Sequence, residues 1–186
     1  MKQLQAASMQ SMRRWFWLLL LANILYIICT YILLHPLTLQ EVVTFEIAKK
    51  VQDANNIIQD WELTGKYQKA ILSIYLDFLF IGLYTALLAV SLAYFSRLTR
   101  HEILIKAGRI FTYLLFIAAL CDTVENIAML RSLKSTASYW SVTAAYDMAA
   151  TKFSIIIVSL LFLFVCIFFW VLDAITGQHR KPTPLL

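Results

Sequence analysis

The sequence predicts an all-α membrane protein: a four-transmembrane-helix bundle with one additional extracytoplasmic amphipathic helix between spans one and two. Three observations carry that expectation. The chain is 61% hydrophobic and only 15% charged, with a mean hydropathy of +0.72, whereas a soluble domain has roughly 45–50% apolar and about 25% charged residues. Four apolar runs each reach the roughly 20 residues that a helix needs to cross a hydrocarbon core about 30 Å thick. Glycine and proline number only four and three, so little interrupts long helices. The 186 residues suit one integral membrane domain, residues 1–186, and leave no length for a second sizeable one.

The first span is expected over 15–34. Arg13 and Arg14 precede it, and Trp15 and Trp17 stand at its interface. The run is longer than the about 7–15 apolar residues of a secretory signal core. Its end, Thr30-Tyr31-Ile32-Leu33-Leu34, offers no small-residue cleavage site, so it reads as a retained helix. His35-Pro36 closes it. Thr38-Leu39-Gln40-Glu41 then matches a capping box, in which the threonine oxygen accepts an orphan backbone N–H and the glutamate reaches back. Leu39, Val43, Ile47, Val51, Ala54, Ile58 and Trp61 follow at helical spacing, with Lys49, Lys50, Asp53 and Asp60 between them. One amphipathic helix over 38–63 is expected, lying on the membrane surface or extending the bundle, with Gly65 as its stop.

Span two is expected over 70–95, span three over 110–130 and span four over 146–172, followed by a tail over 173–186. Arg97, Arg100, Lys106 and Arg109 cluster between spans two and three. Lys2, Arg13 and Arg14 mark the N-terminus, and Arg180 and Lys181 the tail. The positive-inside rule therefore places both termini in the cytoplasm, with Arg131 and Lys134 as exceptions on the opposite side. A bacterial inner membrane is the expected location. The net charge of +5 is dispersed and fits cytoplasmic loops beside anionic lipid; no aromatic-interleaved basic patch speaks for nucleic acid. Cys29, Cys121 and Cys166 each lie in an apolar run and read as buried small hydrophobes.

Asp77, Asp122, Glu125, Asn126 and Lys152 fall within or at the edge of these spans. A charge at mid-membrane costs about 2.5–3.5 kcal/mol even on lenient scales, so such residues are expected to face one another. At the helical rise, Asp122 lies ~20 Å and Glu125 ~24 Å above Arg109, Asp77 ~30 Å above Arg97, and Lys152 ~27 Å above Trp170. Three helices thus bring their charges to one layer. Asp122, Glu125 and Asn126 stand at i, i+3 and i+4 and share a side. Ser73, Asp77, Tyr84 and Ser91 share a stripe on span two, Lys152, Ser159 and Cys166 on span four, and Asn23 and Thr30 on span one. Three carboxylates against one ammonium predict either a protonated carboxyl or a bound cation.

Three uses of the layer are open. One is binding or translocation of a small ligand, cation or proton, with the carboxylates as acceptors, Lys152 as counter-charge and Asn126 as orienting partner. The second is interhelical glue in a homo-oligomer or in a partner subunit of a membrane complex. The third is an enzyme acting on a lipid or isoprenoid, with Asp77, Asp122 and Glu125 holding a divalent cation. Binding is preferred over catalysis, because no paired histidines or nucleophile–base set is visible.

Leu76-Asp77-Phe78, Asp122-Thr123-Val124-Glu125-Asn126 and Lys152-Phe153 together resemble a pattern in small bacterial four-helix membrane proteins of uncharacterised function. The resemblance covers spans two to four. It implies that the layer is a family feature, and it brings no reaction, substrate or cofactor.

Overall fold

The structure is a computed structural model that describes residues 2–176, with side chains from residue 8 onward. Six helices follow one another: α1 (Lys2–Leu34), α2 (Leu39–Glu46), α3 (Val51–Leu63), α4 (Tyr67–Leu98), α5 (Glu102–Lys134) and α6 (Tyr139–Ile175). Four of them are long and apolar enough to cross a membrane, namely α1 from Ser8, α4, α5 and α6. This is the architecture of an all-helical, multi-pass membrane protein. Most of the expected tail lies outside the described residues.

Each long helix runs past the apolar stretch that announced it. Hydropathy marks where lipid contacts the helix, whereas the backbone ladder continues into polar flanks until a cap ends it. α6 begins seven residues before the expected position 146 because Ser138 caps it. Ser138 Oγ accepts the Ser141 N–H at 3.2 Å and Ser141 Oγ accepts the Ser138 N–H at 3.1 Å.

The single helix expected over 38–63 is two helices. The capping box forms as read: Glu41 Oε2 accepts the Thr38 N–H at 2.8 Å, and Thr38 Oγ1 accepts the Glu41 N–H at 3.3 Å. The helix then ends at Glu46, and Lys50 restarts it from an extended backbone at φ −116°, ψ 142°. The break shifts the helical phase. In α3 the expected positions Ala54 and Trp61 are buried, with Val51 and Ile58 packed beside them. In α2 the expected face is wrong: Leu39 is 80% and Ile47 46% exposed, while Val42 and Phe45 turn inward. Gly65 is the expected stop. It adopts φ +71°, and the Lys66 and Gly65 N–H groups cap the carbonyls of Trp61 and Glu62.

α4 is the central helix, packed against α1, α5 and α6, and α5 pairs along α6. α1 packs mainly on α4, through Asn23 Nδ2 donating to the Leu83 carbonyl at 3.1 Å and Tyr26 Oη donating to the Leu76 carbonyl at 2.7 Å. α2 and α3 close one end of the bundle. Their hydrophobic core joins Phe45, Ala54 and Trp61 to Ile74, Met129 and Val142. Trp61 meets Phe45 edge-on at 5.2 Å, and its burial contributes on the order of 3 kcal/mol. The segment therefore extends the bundle as a packed cap. Lys66 Nζ donates to Glu41 Oε1 at 2.6 Å and clasps the start of α2 to the start of α4; this ion pair, with Thr38, holds the Glu41 carboxyl below its ordinary range.

The outward faces are apolar. Leu18, Leu21 and Leu25 of α1 and Leu161 and Phe164 of α6 are all more than half exposed, a surface that a bilayer suits and water does not. Of the three cysteines only Cys166 is buried; Cys121 is half-buried and Cys29 is exposed on α1, because that helix has a neighbour on one side only.

Candidate functional site

The five expected residues gather just inside the α2/α3 end. Asp122, Glu125 and Asn126 share one buried side of α5, as their i, i+3, i+4 spacing requires. Across from them α6 brings Lys152, which is only 5% exposed. Its Nζ donates to Asp122 Oδ1 at 2.7 Å and to Glu125 Oε1 at 2.9 Å. These are charge-assisted bonds of short length, and they lock α5 to α6. Ser159 and Cys166, one and two heptads further along α6, are buried on the same stripe.

α4 supplies Asp77 and Tyr84, one heptad apart. Tyr84 Oη donates to Asp122 Oδ2 at 2.8 Å, so both oxygens of that carboxylate are engaged. Asn126 Nδ2 donates to Asp77 Oδ2 at 2.7 Å. Asp77 therefore joins the layer through an amide, and no cationic side chain among the described residues forms an ion pair with it.

One member of the layer is not among the expected residues. Glu46, the last residue of α2, places Oε2 3.7 Å from Lys152 Nζ, with its side chain 12% exposed. In sequence it is one of several acids in a polar connection. Only the α2/α3 break, which ends the helix with this residue turned inward, distinguishes it from Asp53 or Asp60. Burial is the main force pushing the Glu46 carboxyl up to about 7; Lys152 pulls the other way, and Asp77 and Asp122 add to the rise. Tyr84 stood on the expected stripe without being marked as a site residue. Its signal was the heptad step from Asp77.

The layer thus sets four carboxyls, Glu46, Asp77, Asp122 and Glu125, against one ammonium. Glu125 Oε2 and Glu46 Oε2 are buried without a hydrogen-bond partner among the described residues. Among the described residues no group of three His, Cys, Asp or Glu side chains is arranged to hold a metal. The cation between Asp122 and Glu125 is the lysine itself, and Asp77 turns to Asn126 instead of completing a trio with them.

A cavity of about 310 Å³ opens between α1, α2 and α4. Asp77, Asn126, Glu46 and Ser73 form its polar part, and its walls include Ile27, Leu34, Val42, Ile74 and Phe80. Apolar walls around a few convergent polar groups are the usual make-up of a small-molecule site.

Comparison with protein-family models, with curated proteins and with solved structures finds no match to this chain. The resemblance in spans two to four rests on those residues alone.

Proposed function

We propose that this chain is a multi-pass membrane protein that binds a small ligand, cation or proton at its carboxylate–lysine layer. The observation that carries this reading is the position of Asp77. A layer serving only as glue would close every charge on another, as Lys152, Asp122 and Glu125 do. Asp77 instead has no ion pair among the described residues and borders a cavity. A carboxyl so placed exchanges a proton or accepts a cation more readily than one already bonded to an ammonium. In this reading the termini are cytoplasmic, the α2/α3 cap is extracytoplasmic, and the site opens in the outer half of an inner membrane.

Native mass spectrometry of the gently extracted protein tests it. The wild type should carry a small molecule or ion that Asp77→Asn loses while keeping its fold. Identical masses in both would hand the layer to the second reading, interhelical glue in a structural or partner subunit. The closed Lys152–Asp122–Glu125 contact favours that second reading for its own part of the layer.

A further inference from the structure

The layer is sealed on one side and open on the other. Lys152, Asp122 and Glu125 lie closed between α5 and α6, whereas Asp77, Asn126 and Glu46 border the cavity between α1, α2 and α4. We propose that this cavity takes a lipophilic amine, a hydrocarbon-tailed amphiphile whose protonated amine seats against Asp77 and Glu46. The proposal rests on the binding reading above and names its ligand class.

Charge sets the sign of the headgroup. Among the described residues four carboxyls face one ammonium and Asp77 has no ion pair, so an arriving cation is attracted and an anion repelled. The lining also limits what else the headgroup carries. Among the described residues no Lys, Arg or His borders the cavity, so the phosphate of a zwitterionic lipid would lie beside carboxylates with no cation lining the cavity to meet it. Aromatic rings reinforce the preference. Tyr26, Tyr31 and Phe80 line the cavity, with Tyr26 and Phe80 stacked at 5.3 Å, and ring faces attract ammonium groups.

The mouth sets the route. Ile27, Tyr31 and Leu39 border the cavity and are 53%, 76% and 80% exposed. Ile27 and Tyr31 belong to the apolar outer surface of α1, which the bilayer would cover. A hydrocarbon tail can therefore remain in lipid while the head reaches Asp77. The volume, about 310 Å³, holds a head and the first part of a tail.

Binding is linked to a proton. Burial pushes the Glu46 carboxyl up to about 7, and it faces Lys152, Asp77, Asp122 and Glu125. A cation arriving beside it favours the ionised carboxylate, so binding releases a proton and tightens as pH rises from about 6 to 8.

The test uses the full chain in phosphatidylcholine nanodiscs, with dodecylamine as probe. Dodecanol, dodecanoate and a lysophosphatidylethanolamine serve as neutral, anionic and zwitterionic comparators. Dodecylamine should bind saturably and about tenfold or more tighter than dodecanol, and Asp77→Asn should remove that advantage. Asp77→Glu should retain it. Ile27→Trp, at the mouth and outside the layer, should block the amine without altering the thermal midpoint. Equal binding of amine and alcohol, an amine preference indifferent to Asp77→Asn, or tighter binding of the anionic or zwitterionic probe would overturn the proposal. An Asp77-dependent mass adduct in a protein that ignores dodecylamine would reject the amine and leave the binding reading standing. No adduct and no probe binding would reject both.

Discussion

A carboxyl taken out of water needs a proton, a cation or a set of donors, and the four carboxyls of the layer find different ones. Asp122 has Lys152 and Tyr84, one on each oxygen. Glu125 uses Lys152 on one oxygen only, and Asp77 relies on Asn126. Glu46 stands 3.7 Å from the ammonium, and its Oε2 has no hydrogen-bond partner among the described residues. Its titration has a defined sign. The folded protein holds the Glu46 proton up to about pH 7, against 4.5 for the ordinary carboxyl. Between those values the unfolded state has released the proton and the folded state has not. The Glu46 contribution to stability is therefore fully present below about pH 4.5 and is lost as pH rises through 7, by on the order of 1–3 kcal/mol. Thermal melts across that window should show the fall, and Glu46→Gln, which keeps the neutral form, should remove most of it. An unchanged slope in the variant would mean that another group titrates. Asp77, Asp122, Glu125, Asn126 and Lys152 were legible in sequence because a charge inside an apolar run stands out. Glu46 was not, since an acid among polar neighbours carries no such contrast.

At the scale of elements, the long helices were legible by length and their ends by caps where the cap residues were typical. The Thr38/Glu41 box was readable, whereas a serine pair at Ser138 and Ser141 is a weaker signal for the same geometry. The α2/α3 break was not legible: Ile47 to Lys50 contains neither glycine nor proline, and only tertiary packing of Phe45 and Ala54 requires the chain to turn there. The same holds for close helix approach. Gly82, which with Ala86 offers a small-residue pair, has nothing within 4 Å of where a Cβ would stand. At Gly108 a Cβ would meet Ser96 Oγ at 2.8 Å and Ser96 Cβ at 3.0 Å, so α5 approaches α4 there. Gly108→Ala should destabilise by about 1–3 kcal/mol through overpacking. Adding Ser96→Gly should recover a large part of that loss in a double-mutant cycle. Additive effects would show that the two helices are not held together at this point.

For the whole molecule, hydropathy counts the spans without saying which of them touch. The central place of α4 and the one-sided attachment of α1 follow from contacts such as Asn23 to Leu83, which no periodicity announces. Orientation is a separate matter that the loop charges govern. In a background lacking Cys29, Cys121 and Cys166, Thr64→Cys should react with an impermeant maleimide applied to intact cells. Glu102→Cys should react only after permeabilisation. The reverse pattern would invert the proposed topology. The position of Lys152 also bears on how the protein is made. A chain emerges from the ribosome N-terminus first, so Glu46, Asp122 and Glu125 are synthesised before the ammonium of Lys152 that pairs with all three. Until α6 arrives, Asp122 and Glu125 lack the cation that pairs with them among the described residues. The last of the described helices is the one that brings the counter-charge, and a nascent chain stalled before it would present the cell's quality control with unpaired acids.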